Sequence, residues 1–234
     1  MKELFERLYK GTKAEFYEHT KKVLGESGKM IIVTANPEAF MLADKDSKYK
    51  NILYKDITCV VPDGIGLVKA AQSLNYPVNE RITGVDLCVF LLECADNQGK
   101  SIFLYGAKPE IAEAFKENIE KNYPNAKIAG AYHGYNQNEE KLKEEIAATK
   151  PDIVLVALGM PRQEFFINEC VDLVEKGIFV GVGGSFDVLS GAKKRAPSIF
   201  IKLNLEWLYR IAKEPKRLKR FYDNNVKFIF KYKK

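Results

Sequence analysis

Apolar and polar positions alternate between two periods along most of the chain. Short runs of β-branched and aromatic residues recur at 29–34 (KMIIVT), 57–61 (ITCVV), 101–105 (SIFLY), 127–131 (KIAGA), 152–157 (DIVLVA) and 178–182 (IFVGV). Their length and near-continuous apolarity predict strands buried on both faces. Between them, residues 37–43, 66–74, 84–97, 109–122, 138–149 and 161–175 carry helical patterns. In 109–122, Ile111, Ala112, Phe115 and Ile119 recur at helical spacing while Glu110, Glu113, Lys116, Glu117 and Glu120 fill the other face. Leu4, Phe5, Leu8, Phe16, Val23 and Leu24 predict one or two helices ahead of the first strand.

This alternation predicts an α/β fold with a mainly parallel, Rossmann-like sheet and helices on both faces. After Gly191 it stops. Residues 198–212 and 216–232 read as helices punctuated by Pro215, with apolar positions interleaved with basic ones. The chain therefore divides into an α/β domain, 1–192, expected to be catalytic, and a basic amphipathic C-terminal helical appendage, 193–234. Charge sharpens the division. The formal net charge is +6, but residues 193–234 hold 14 Lys and Arg against Glu206, Glu214 and Asp223, which leaves −5 for the rest. A basic tail on an acidic body predicts a polyanionic partner, either nucleic acid or an anionic membrane surface.

The longest stretch without Asp, Glu, Lys or Arg is 11 residues, 128–138, well short of the roughly 18–20 apolar residues that span a bilayer. The mixed charges of Met1-Lys-Glu-Leu-Phe-Glu-Arg7 do not read as a secretory signal, so a cytoplasmic protein is expected. Cys59, Cys88, Cys94 and Cys170 lack Cys-x-x-Cys spacing, and His19 and His133 are far apart. The thiols read as apolar residues, and no structural zinc is expected. Asp44-Lys-Asp46 has the spacing of a divalent-metal motif, but Lys45, Lys48 and Lys50 beside it make a solvated charge run the better reading. No metal and no cofactor are predicted.

Ligands of open parallel sheets bind beyond the strand carboxyl ends, which directs attention to five loops. These are Thr34-Ala-Asn-Pro-Glu38, Pro62-Asp-Gly-Ile-Gly66, Gly106-Ala-Lys108, Gly159-Met-Pro-Arg-Gln-Glu164 and Gly181-Val-Gly-Gly-Ser-Phe-Asp187. Four of them contain glycine, which lets backbone N–H groups approach a phosphate, so a nucleotide or diphosphate ligand is expected. Asp63 follows a buried strand and precedes a glycine turn: it suits a general base or, equally, a helix N-cap. Arg81 suits a phosphate contact or a surface position, with Thr83 capping the next helix. Gly64-x-Gly66 lacks the third glycine of a dinucleotide fingerprint, which weakens the alternative of a nucleotide-dependent oxidoreductase of Rossmann type.

Taken in order, these loops together with Arg81-Ile-Thr-Gly-Val-Asp86, Leu104-Tyr-Gly106, Ser190-Gly191, Arg195-Ala-Pro197 and Glu206-Trp-x-x-Arg210 resemble the WecG/TagA/CpsF glycosyltransferases over about residues 33–220. Ala35 replaces a frequent Pro of that family and Pro62 a frequent Ala. The resemblance implies an inverting, metal-independent transfer of N-acetylmannosamine from its UDP form. The acceptor is the C4 hydroxyl of N-acetylglucosamine on an undecaprenyl diphosphate carrier, as in the linkage unit of wall teichoic acid. It implies Asp63 as general base, with Thr34 and Asn36 orienting the sugars. Gly106, Gly159, Gly183 and Gly184 become nucleotide contacts, Gln163 and Glu164 contacts to base or ribose, and Arg81, Asp187 and Arg195 further substrate-binding residues. Arg210, Arg217 and Arg220 match a tail that closes over the site at the membrane and binds a diphosphate.

That reading makes the partners a UDP-sugar donor, a lipid-diphosphate acceptor and an anionic membrane surface rather than nucleic acid. Peripheral attachment to the inner face of the plasma membrane follows, with Trp207, Phe221, Phe228 and Phe230 available to insert at the interface. For Trp207, packing in the core is the alternative. An amphipathic face can also bury itself against a second copy, so homo-oligomerisation stays open.

Overall fold

The computed structural model describes residues 3–135 and 137–232, and within the helix Arg217–Phe221 the side chains of Arg217 and Arg220 lie outside that description. Six strands, β1 (Lys29–Ala35), β2 (Thr58–Pro62), β3 (Ser101–Gly106), β4 (Lys127–Tyr132), β5 (Ile153–Ala157) and β6 (Gly177–Gly181), form one sheet in the order β2-β1-β6-β5-β3-β4. All pairings are parallel. Every residue of β5 and β6 is buried, as their unbroken apolar runs require at the centre of a covered sheet. The edge strand β4 is only partly buried.

Side chains alternate between two cores, one on each face. Ile31, Val33, Phe103, Tyr105, Val154, Val156 and Phe179 pack with Phe5, Phe40, Phe166 and Phe228 on one side. Met30, Ile32, Ile102, Leu104, Ile153, Leu155, Ile178 and Val180 pack with Phe16, Leu91, Phe115 and Phe186 on the other. The first face is covered by helices including Pro37–Ala43, Ser47–Tyr54 and Arg162–Val171, the second by helices including Gly84–Gln98 and Pro109–Asn122.

The helix Ser47–Tyr54 is absent from the sequence reading. Asp46 caps it, accepting from the Lys48 and Tyr49 N–H groups at 2.9 and 3.1 Å, and Tyr49, Ile52 and Leu53 form its buried stripe. Asp44 pairs with Lys231 at 2.5 Å. The two carboxylates of the Asp44-Lys-Asp46 motif thus serve as a cap and as a tether for the chain end.

Beyond residue 192 the chain forms short helices, Ser198–Lys202, Glu206–Lys213, Arg217–Phe221 and Lys227–Tyr232, with one π-helical turn at Tyr222–Val226. The helix expected over 198–212 is interrupted at Asn204, whose φ of +57° breaks the ladder. Phe228 is fully buried against Phe5 and Phe40. It therefore belongs to the core, and the expectation that it inserts into a membrane is corrected. Among the described residues no helix is long and apolar enough to cross a membrane.

Candidate active site

The order β2-β1-β6-β5 sets four carboxyl-terminal loops side by side. Asp63 leaves β2 directly, and its main-chain N–H donates to the Ala35 carbonyl at 2.8 Å. Thr34 donates its hydroxyl to the Gly181 carbonyl at 3.0 Å, tying β1 to β6. Asn36 accepts from the Ala39 N–H at 3.1 Å and so caps the helix Pro37–Ala43. Gln163 accepts from the Gly183 N–H at 3.1 Å, holding a turn in which Gly183 has φ +48°. Gly64, not Asp63, is the N-cap residue of the helix Ile65–Ser73. The capping alternative for Asp63 falls, and its side chain stands at the cavity wall.

These loops and the C-terminal helices enclose a cavity of about 800 Å³, within the range of small-molecule sites. Thr34, Asn36, Asp63, Arg81, Gly159, Gln163, Gly183, Gly184, Asp187, Arg195 and Arg210 all line it. The C-terminal side of the wall includes Trp207, Tyr209, Lys213 and Phe221, and the Trp207 ring stacks on Phe221 with centroids 4.5 Å apart.

Charge in the site is organised around one buried carboxylate that sequence reasoning assigned no role. Glu206, only 4% exposed, accepts from Arg81 at 2.7 Å and lies 3.8 Å from the Arg195 Nε and 3.9 Å from the Arg210 guanidinium. Arg81 also donates through Nε to the main-chain carbonyl of Asp63 and stands 3.6 Å from its carboxylate. Arg195 pairs with Asp86 at 2.7 Å. Burial pushes the Asp63 carboxyl above its usual range and Glu206 adds to this, while Arg81 and Arg210 oppose it. The clue to Glu206 in the sequence is its isolation as one of three acids among fourteen cations after residue 192.

Two expected contacts lie away from the cavity. Gly106 has φ +134°, and a Cβ there would come within 2.4 Å of the Ala157 backbone, so this glycine serves strand-end packing. Glu164 is buried behind Gln163, from whose amide nitrogen it accepts at 2.8 Å. Arg217 and Arg220 sit on the helix Arg217–Phe221, and their side chains are outside the described set. Among the described residues no group of three or more His, Cys, Asp or Glu side chains is placed to hold a metal ion.

A parallel α/β sheet whose strand ends carry a carboxylate ringed by arginines defines a class of protein built for an anionic, nucleotide-sized ligand. The chain belongs to the glycosyl transferase WecG/TagA/CpsF family, whose model matches residues 5–234. It is 45% identical over 190 residues to the N-acetylglucosaminyldiphosphoundecaprenol N-acetyl-beta-D-mannosaminyltransferase of Bacillus subtilis strain 168, covering 81% of this chain and 74% of that protein. The protein of the same name from Staphylococcus aureus strain MW2 is 38% identical over 206 residues, covering 88% and 80%. The one from Bacillus spizizenii is 42% identical over 189 residues, covering 81% and 73%. The oxidoreductase alternative has no support. The loop after β1 has no glycine, and Pro37 opens the next helix where a dinucleotide fold places its phosphate turn.

Proposed function

We propose that this chain transfers N-acetylmannosamine from UDP-N-acetylmannosamine to the C4 hydroxyl of N-acetylglucosaminyl-diphospho-undecaprenol, with inversion and without a metal ion. The product would be the linkage unit of wall teichoic acid or a related surface polysaccharide. The observation that carries the reading is Asp63 at the carboxyl end of β2, facing a cavity that also presents Arg81, Arg195 and Arg210. In an inverting displacement the acceptor oxygen attacks the anomeric carbon as the bond to UDP breaks, and a carboxylate takes the acceptor proton. A carboxyl raised by burial is a stronger base than a solvated one once ionised.

The negative charge that grows on the departing UDP is met by guanidinium groups and by the Gly184 N–H, the Gly183 N–H being held by Gln163. Thr34 and Asn36 stand on the loop beside Asp63, in position to orient the sugars. Exposed Ile199, Leu203, Leu218 and Phe230 on the cationic tail suit an anionic bilayer surface. Such a surface would bring the cavity to a lipid-borne acceptor.

Purified protein, given a short-chain lipid-linked N-acetylglucosamine and a panel of UDP sugars in EDTA, should form disaccharide from UDP-N-acetylmannosamine. Turnover that appears only on adding magnesium would contradict the metal-free step, and turnover with a different sugar alone would contradict the donor.

A further inference from the structure

We infer that Glu206 is a positioning residue that keeps the catalytic carboxylate free by drawing Arg81 away from it, an inference that rests on Asp63 being the base. The geometry is a competition of two carboxylates for one guanidinium. Arg81 Nη2 is 2.7 Å from Glu206 Oε2 and 3.6 Å from Asp63 Oδ1. Its Nε is fixed on the Asp63 main-chain carbonyl, so the guanidinium is anchored beside the base while its strongest ion pair points elsewhere.

Burial makes that choice consequential. The Arg81 and Glu206 side chains are 17% and 5% exposed, so the pair is poorly screened by water. Without the Glu206 carboxylate, Arg81 would be left with Asp63 as its ion-pair partner among the described residues. A close Arg–Asp pair would occupy the oxygen that must accept the acceptor's proton and would make it a weaker base.

The same carboxylate ranks the arginines. Arg195 is committed to Asp86 at 2.7 Å, whereas Arg210 touches Glu206 only at 3.9 Å and is half exposed at the cavity. Of Arg81, Arg195 and Arg210, Arg210 is thereby the one free to turn toward a diphosphate, and Arg81 is the one held for the base. Because Glu206 begins the helix Glu206–Lys213, which lines the cavity, the arrangement also makes the base depend on the tail being docked. Access of acceptor and readiness of the base are then coupled through one residue.

The charged groups facing Asp63 are Arg81 on the segment between the helices Ile65–Ser73 and Gly84–Gln98, Arg195 on the loop after residue 191, and Glu206 and Arg210 on the tail helix. Replacing Glu206→Gln removes a negative charge and releases Arg81 toward Asp63, and both effects favour ionised Asp63. The acidic limb of kcat/KM should therefore move to lower pH. At the plateau kcat should fall about tenfold or more, as a weakened general base predicts, with KM for the UDP sugar changing less than about threefold. Arg81→Met in the Glu206→Gln background should recover part of the lost kcat, because it removes the cation that closes on the base.

A Glu206→Gln enzyme with unchanged kcat and an unmoved acidic limb would overturn the inference, as would a loss confined to KM. If the variant proves unstable, Arg210→Gln is the check: it leaves the Arg81–Glu206 pair intact, should raise KM, and removes a cation that opposes the raised Asp63 carboxyl, so its acidic limb should move to higher pH, the opposite direction to Glu206→Gln. An Arg210→Gln acidic limb that moved to lower pH, in the direction expected for Glu206→Gln, would overturn the ranking. Asp63→Asn, measured alongside, separates the two levels. Wild-type turnover there removes the base itself, whereas lost turnover with a wild-type-like Glu206→Gln removes only the role of Glu206.

Discussion

Glu164 shows how a side chain one position from the cavity wall can govern stability rather than binding. It is 2% exposed, accepts from Gln163, and leaves Oε2 without a partner among the described residues. Burial pushes its carboxyl up to about 7, with Glu38 adding and the Gln163 hydrogen bond opposing. In the unfolded chain the same group titrates near 4.5. Folding therefore favours the protonated form, so stability is fully present below the unfolded value and falls as pH rises from there toward 7. A shift of this size corresponds to about 3 kcal/mol at most. Glu164→Gln should remove the slope: its melting temperature should gain on the wild type from pH 4.5 to about pH 7 and hold that gain up to pH 8. Parallel melting curves across that range would contradict the assignment. From sequence, Gln163 and Glu164 both read as ligand contacts because adjacent positions at a helix start are indistinguishable until the helix is docked. Successive residues point about 100° apart, and only docking decides which faces the cavity. Asp63 was legible for the opposite reason, since the end of a buried strand fixes where the next residue stands.

At the scale of elements, the strands and the helices between them follow closely from the apolar periodicity, because burial on both faces of a parallel sheet leaves a strong pattern. The helix Ser47–Tyr54 was hidden by Lys45, Lys48 and Lys50, which make the segment read as a charge run. The tail was legible as amphipathic but not in its partition between core and surface. Phe228 and Phe230 are two residues apart on one helix, yet the first is fully buried and the second 74% exposed. Tertiary docking against Phe5 and Phe40 separates them. Phe228→Ala should cost about 3–5 kcal/mol, lower the melting temperature and open the chain end to protease. Phe230→Ala should stay within about 0.5 kcal/mol of wild type, as exposed positions do. Equal losses from the two would show that the last helix is not packed as described.

For the whole molecule, the charge division at residue 193 acquires a location. The acidic portion holds the sheet and Asp63, the basic portion supplies Arg195, Arg210 and Glu206, and the cavity lies where the two meet. The order of loop motifs made the family legible in the sequence, whereas the meeting of Arg81 and Glu206, far apart along the chain, exists only in the folded protein. The central claim is that Asp63 removes the proton from the acceptor hydroxyl in a cavity that binds the donor without its help. Its most direct test is transfer to a lipid-linked N-acetylglucosamine by the Asp63→Asn variant of the full chain, with UDP-sugar binding measured on the same preparation. The account predicts that transfer falls by about 100-fold or more while donor affinity stays close to wild type. Transfer at the wild-type rate would contradict it.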